Sequence, residues 1–356
     1  MKKSGEAMES RAVLKYAGAF MAWVIGSGFA TGQEVLRFFA SYGYMSYGIL
    51  LVNLVGFLVV GKTLMLTGYE HRQQSGFQHF RYYCGNRLGS IYVWTMPIVW
   101  FSMMAILFSA AGATLFEYFG INHCIGAAIM AALVLFSYLI GFERFVQIVS
   151  KISPVVIIFC LAVGMISVAR DFEFITRVSD SLTEFQASPN WMISAFSYLS
   201  LDFLTGSTYY TNLGMAAKSR RAVIWGAILG SIILLLVITI MNTAILLNGQ
   251  EAAALSVPTL FLAKKISYMF AGAFSVILLL GMFSSCAATM WSICSNFFAV
   301  GSMKNKITAV IIVLAAYIIS LFPFGSLVGM IFPLIGYYGF IYIGCVIYKG
   351  LKRKVL

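Results

Sequence analysis

The sequence predicts an all-α membrane protein, and three observations carry that prediction. Of 356 residues, 61% are hydrophobic and only 10% charged, with a mean hydropathy of +0.90. A water-soluble domain carries roughly a quarter of its residues as charges, so most of this surface faces something other than water. The apolar residues fall in continuous blocks of the length a helix needs to cross a bilayer, about 20 residues. A barrel would show alternating segments of about 10. Finally, the basic residues are segregated along the chain, as set out below.

Ten apolar segments follow one another, at roughly 13–40, 44–68, 89–116, 122–141, 145–168, 191–214, 222–248, 267–299, 306–322 and 327–348. The mixed prelude of Lys2, Lys3, Glu6, Glu9, Arg11 and Lys15 is unlike a secretory signal peptide, so the first block reads as a retained span. An even number of spans puts both termini on one side. Of the 24 Lys and Arg, only Arg37, Arg170, Arg177, Lys264 and Lys265 fall on the opposite side. Basic residues favour the cytoplasmic face, which makes the termini cytoplasmic in the plasma or inner membrane. The net charge of +12 is thereby explained by the membrane, and no nucleic-acid partner is expected. The six cysteines are scattered without a CxxC pair and read as small buried hydrophobes.

Two stretches between spans are read as structural connectors. Residues 69–88 form a polar inner loop, and residues 248–266 an outer segment whose Pro258-Thr259-Leu260-Phe261 suggests short re-entrant helices. Asn53 and Asn242 read as glue between helices.

Two spans are poor lipid-facing helices. The first carries Gly26-Ser27-Gly28-Phe29 at its middle, then Thr31-Gly32-Gln33-Glu34. Glycine costs about 1 kcal/mol relative to alanine in a helix interior, and a close helix crossing explains the glycines but not the Gln33, Glu34 and Arg37 that follow. Trp23 precedes this interruption by one turn. The sixth span holds Tyr198-Leu199-Ser200-Leu201-Asp202 and then Thr205-Gly206-Ser207-Thr208. An Asp at mid-span costs about 2.5–3.5 kcal/mol on insertion scales, so Asp202 should face a cavity or a partner. Glu34 either acts at a site or pairs with Arg37, one turn on.

Spans one and six stand five helices apart, so they sit at matching places in two halves of opposite orientation. Interrupted helices in inverted repeats point to a transporter site at the midplane. A broken helix offers unpaired N–H groups to an anion and unpaired carbonyls to a cation. The expected fold is one transmembrane domain over 1–356, with ten helices as a 5+5 inverted repeat. Repeat one covers about 13–168 and repeat two about 191–348, and helices 1 and 6 are broken.

The run Ile25-Gly26-Ser27-Gly28-Phe29 resembles the first-helix signature of the amino acid–polyamine–organocation superfamily, whose members share the LeuT fold. Extended to Gly26 through Glu34, it resembles more narrowly the YkvI-like bacterial membrane proteins, a family without an established substrate. The resemblance covers the whole chain. It implies that Gly26, Ser27 and Gly28 present backbone amides to a substrate carboxylate, beside Phe29. It also implies that Phe196, Tyr198, Ser200 and Asp202 line the pocket, the aromatic rings acting as a gate. In sodium-coupled members, Gly281, Ser284 and Ser285 of the eighth span would join the carbonyls of Ala22 and Ile25 around the cation. Ser284 and Ser285 fit interhelical hydrogen bonding equally well. In proton-coupled members a fifth-helix lysine replaces the sodium, and Lys151 either takes that role or snorkels to the inner surface. Sodium against proton stays open, and sodium is the one cofactor the resemblance admits.

The implied activity is secondary transport, as a symporter, of a small solute such as an amino acid or related amine. The alternative is a transporter-like receptor that binds a small ligand without moving it. An enzyme is not expected: no HExxH, GxSxG, metal-spaced His/Cys cluster or Walker sequence occurs, and His71, His79 and His123 all fall in or near predicted loops. The oligomeric state is not legible.

Overall fold

The computed structural model describes residues 2–25, 27–74, 77–140, 153–173, 180–294 and 302–352. Every regular element among them is helical. In chain order these are α1 (Lys2–Val24), α2 (Ser27–Ala30), α3 (Gln33–Phe38), α4 (Ser46–Gly56), α5 (Lys62–Glu70), α6 (His79–Phe119), α7 (His123–Ile140) and α8 (Ser153–Asp171). The second half holds α9 (Trp191–Met215), α10 (Arg220–Ala253), α11 (Pro258–Ile266), α12 (Tyr268–Cys294), α13 (Met303–Ser320) and α14 (Phe324–Lys352). A 3₁₀ turn at Ala40–Met45 and a π turn at Phe57–Gly61 join α4 and α5 into one helical run, Ala40–Glu70.

Among the described residues, eight helices are long and apolar enough to cross a membrane: Ala40–Glu70, α6, α7, α8, α10, α12, α13 and α14. The chain is therefore a multi-pass helical membrane protein. The remaining long elements, the α1–α2–α3 series and α9, carry the polar sequences singled out above. They pack inside the bundle, α1 along α10 and α9 along α5 and α14.

The first span is interrupted as expected, and twice. Helix α1 ends at Val24, α2 has a single turn, and Thr31-Gly32 separate it from α3. Gly32 sits at φ +84°, in left-handed space that glycine enters without a steric cost. The sixth span is a correction. Helix α9 runs unbroken from Trp191 to Met215, so the break expected there is absent. Its hydroxyls bond back within the helix: Thr205 to the Leu201 carbonyl (2.8 Å), Ser207 to Leu204 (3.0 Å) and Thr211 to Ser207 (2.8 Å). Such back-bonding lets a polar sequence stay helical in a dry interior.

The 69–88 connector is shorter than expected. Helix α6 starts at His79 and turns at Gly85 (φ +74°) before its apolar stretch. His79 is accordingly buried inside a helix, its Nε2 3.1 Å from Ser207 Oγ, which corrects its placement in a loop. Segment 248–266 does contain a short buried helix, α11. Helix starts follow local chemistry: Asn190 Oδ1 accepts from the Met192 amide (2.8 Å) and Ser302 Oγ from Asn305 (3.2 Å), satisfying amides that the first turn leaves open. Asn53 Nδ2 donates to the Ala195 carbonyl of α9 (3.2 Å), and Asn242 Nδ2 to Ser46 Oγ (2.9 Å), the interhelical bonds expected of them; Asn53 Nδ2 also donates to the Ile49 carbonyl within α4 (3.0 Å).

Helices α5 and α9 cross with their backbones in contact. A Cβ added at Gly68 would meet the Thr211 carbonyl, and one at Gly214 the Met65 carbonyl. Small residues permit such crossings, and added bulk in a tight site costs about 1–3 kcal/mol. Gly214→Ala is expected to lower the melting temperature of the purified protein, whereas Gly344→Ala, facing open space, is expected to leave it unchanged or raise it.

Candidate functional site

The interruption of the first span opens onto a cavity of about 550 Å³. Three walls build it: the end of α1 with α2 and α3, one face of α9, and one face of α12; Trp100, Met103 and Leu107 of α6 close a fourth side. On α9 the lining residues are Tyr198, Leu201, Asp202, Thr205, Thr208, Tyr209 and Asn212, a stripe at helical spacing. On α12 they are Gly281, Ser284, Ser285, Ala288, Thr289 and Ser292.

Most of the residues singled out in the sequence meet here. Ala22, Trp23, Ile25, Gly28, Phe29, Glu34, Tyr198, Asp202, Gly281, Ser284 and Ser285 all line the cavity. Gly26 and Lys151 lie outside the described residues, and Ser27 is described only as the start of α2. Three of the residues singled out do not line the cavity. Phe196 is 44% exposed and points out of the bundle. Ser200 is buried against Gly339 of α14 and takes no part in the wall. Arg37 points elsewhere: its Nε donates to Gln33 Oε1 (3.3 Å) and its guanidinium lies against Gly329 and over the Phe185 ring at 5.8 Å. The first two share a cause. Residues two positions apart on a continuous helix stand about 200° apart, so with Tyr198 and Asp202 on the cavity face, Phe196 and Ser200 turn away from it.

Two carboxylates face the cavity. Asp202 is buried, and its Oδ2 accepts from the Tyr210 hydroxyl at 3.1 Å. Glu34 folds back over α2, so that a Cβ at Gly28 would stand 2.5 Å from its Oε1. Among the described residues neither carboxylate has an ion pair, and the alternative of a Glu34–Arg37 pair is not realised. The Tyr198 hydroxyl, on a side chain 1% exposed, has no hydrogen-bond partner among the described residues. Trp23 stacks on Tyr209 (centroids 5.2 Å apart, 27° between planes), and the Tyr209 hydroxyl donates to the Ala19 carbonyl at 2.7 Å.

The two ends of the cavity differ. Toward Asn212 and Ser292 its lining follows α9 and α12 to their last turns, the end of the bundle where Tyr16 of α1 donates to the Ala216 carbonyl (3.2 Å). At the other end α11 lies across the α2–α3 turn. Thr259 donates its hydroxyl to the Ala30 carbonyl (2.6 Å) and its amide to the Thr31 carbonyl (3.2 Å), while Gln33 Nε2 donates to the Ser256 carbonyl (3.0 Å). Glu117, at the end of α6, holds the start of α11: its Oε1 accepts from the Ser256 and Val257 amides at 2.6 and 3.2 Å. Lys264 donates to the Glu117 carbonyl.

Thr205, Thr208, Asn212, Thr289 and Ser292 on the walls, and Glu117 beside α11, were not among the expected site residues. The first five were legible as polar residues recurring every three or four positions with Asp202 and Ser285. Glu117 had no such signal, because its partners are amides 139 and 140 residues away.

No family model matches the chain. It is 26% identical over 346 residues to the uncharacterised membrane protein YkvI of Bacillus subtilis (strain 168), covering 95% of this chain and 96% of that protein. The likeness to YkvI-like membrane proteins read from the first span thus extends along the whole length. Among solved structures, the manganese transporter of Eremococcus coleocola shares the fold. A single-site mutant superposes with a TM-score of 0.55 at 14% identity, covering 93% of this chain and 76% of that one. Its complex with an aromatic bis-isothiourea compound gives 0.55 at 13% identity over the same shares.

The Glu117 bonds generate a prediction. Removing a buried acceptor leaves its donors unpaired at about 1–3 kcal/mol. Glu117→Ala is expected to raise hydrogen–deuterium exchange at the start of α11 while leaving α9 unchanged. Unaltered exchange across 254–260 would show that Glu117 does not hold the start of α11.

Proposed function

We propose that the chain is a secondary transporter of a small amine-bearing solute, an amino acid or a related amine, coupled to sodium or to protons. The observation that carries this reading is the pair of carboxylates, Glu34 and Asp202, facing a solute-sized cavity beside an interrupted helix without a cationic partner among the described residues. Pockets of a few hundred Å³ with a few polar groups suit small molecules, and carboxylates inside a membrane are functional by default. The fold shared with a transporter supports transport as the activity. Manganese, named for that neighbour, fits less well: among the described residues no three His, Cys, Asp or Glu side chains gather as a metal site.

In this reading ten helices cross the cytoplasmic membrane as two inverted halves of five. The α1–α2–α3 series and α9 add to the eight apolar spans, and both termini are cytoplasmic. The cavity then faces the cytoplasm, with α11 as the lid on the outer side. Asp202 binds the solute amine or carries the coupling proton. The carbonyls of Ala22 and Ile25, with Gly281, Ser284 and Ser285, would supply hard oxygen ligands to sodium; all five line the cavity. The amides at Gly26-Ser27-Gly28 would meet a substrate carboxylate where one is present.

Uptake of labelled amino acids and amines into proteoliposomes, under a sodium gradient and separately under a pH gradient, tests the reading. Loss of a charge-assisted hydrogen bond is worth about 1.5–3 kcal/mol, a factor of roughly ten to a hundred. Asp202→Asn is expected to lower uptake by that factor, and Ser285→Ala to lower it under sodium drive alone. Ligand binding by folded protein without flux under either gradient would favour a receptor instead.

A further inference from the structure

Two of the cysteines that are scattered in the sequence meet in the fold. Cys84 lies in the second turn of α6, and Cys345 two turns before the end of α14. Their side chains touch, with one thiol donating a hydrogen bond to the other. Both are half-buried, so each keeps part of its surface open. Of the other four, Cys160, Cys286 and Cys294 are buried and Cys124 is exposed.

The contact is held from both sides. One turn before Cys345, the Tyr342 ring packs on Phe80 and Tyr83, with centroids 5.3 and 6.2 Å apart. One turn after it, Lys349 donates to the Tyr82 carbonyl, its ammonium 3.8 Å from the Tyr82 ring centre. Cys84 follows Tyr82 and Tyr83 directly, so these contacts set the register that places one sulfur against the other.

The pair also sits where a bond would matter. The turns of α6 before the bend at Gly85 (φ +74°) carry His79, whose Nε2 lies 3.1 Å from Ser207 Oγ and 3.5 Å from Thr208 Oγ1. The Ser207 hydroxyl already donates to the Leu204 carbonyl, so His79 Nε2 carries the proton of that contact. Thr208 lines the cavity. A covalent bond at Cys84 would hold this short helical piece against α14, and through His79 against the cavity wall on α9.

We infer that Cys84 and Cys345 are a reversible dithiol that a hydroperoxide closes into a disulfide, tying the start of α6 to α14. One sulfur, as its thiolate, attacks an oxygen of the hydroperoxide. The S–O bond forms, the O–O bond breaks, and the departing alcohol (water, for hydrogen peroxide) takes the thiol proton. The second sulfur then displaces the sulfenic hydroxyl; the S–S bond forms and water leaves with the second proton. The two thiols lose two electrons and the peroxide gains two. Exchange with a small thiol reopens the bond. In the orientation proposed above the pair lies at the cytoplasmic end, where reducing conditions keep such thiols open until an oxidant arrives. This chemistry does not depend on what the cavity binds.

The test treats full-length purified protein with hydrogen peroxide, alkylates the remaining thiols and maps the peptides by mass spectrometry. One linked pair joining Cys84 to Cys345 within a chain is expected, reversed by dithiothreitol and unaffected by Cys124→Ser. Hydrogen–deuterium exchange across 79–84 is expected to slow by at least about tenfold on closure, and to stay unchanged by peroxide in Cys345→Ser. The mapping on unaltered protein stands even where a variant does not fold. Both thiols remaining free, or sulfinic acid accumulating on either without a link, overturns the inference. So does a link formed only between two chains, or an equal slowing of exchange in Cys345→Ser. A Cys84–Cys345 link that leaves exchange across 79–84 unaltered would overturn the tie between the start of α6 and α14.

Discussion

A helix that stops partway across a bilayer leaves carbonyls and amides that water does not reach, and each must find a partner inside the protein. That constraint organises this structure around the segment from Ile25 to Gln33. The Gly28 carbonyl is taken by the Thr31 hydroxyl at 2.6 Å, and the Ala30 and Thr31 carbonyls by Thr259. Helix α11 is thus both the covering of the interruption and the source of its missing hydrogen bonds. Glu117 secures α11 from α6 in turn. Helix α11, the break and Glu117 are one hydrogen-bonded unit, and motion of α11 away from the break would leave buried carbonyls unpaired.

Helix α9 meets the same constraint in another way. Its polar residues stay on an unbroken helix because their hydroxyls bond to carbonyls of the preceding turn, and its acid is placed on the one face that meets the cavity. The two walls are therefore unequal: backbone and side chains can both serve a ligand at the first span, and side chains alone at α9. The aromatic ring set, with Tyr198 against Phe39 at 4.8 Å and Phe20 against Tyr210 at 4.8 Å, packs the space behind the acids and holds Asp202 through Tyr210.

Much of this was legible in the residues. Composition and block length reveal a helical membrane protein, and three glycines beside Gln33 and Glu34 reveal the interruption. A lone mid-span Asp marks the wall of the cavity. What the residues conceal has physical causes. Ser, Thr and Gly in the sixth span have the composition of a break, but back-bonding hydroxyls and a close approach of Trp23 to Gly206 use the same residues within a regular helix. Arg37 stands one turn from Glu34, yet it turns toward α14, a choice made by helices nearly 300 residues apart in sequence. The lid contacts between Glu117, Thr259 and the break are equally remote, and no local pattern announces them.

The most direct measurement of this account is the sidedness of the cavity. Asn212 lies where the lining reaches the last turn of α9, on the same end of the bundle as the α1 contact at Ala216. In a background with the six native cysteines replaced by serine, Asn212→Cys would be treated with a membrane-impermeant maleimide in right-side-out and inverted vesicles. Labelling is expected from the face that carries a C-terminal tag and none from the other, with protection by bound solute. Labelling from the opposite face, or equal labelling from both, would contradict a cavity that is covered by α11 and open toward the termini.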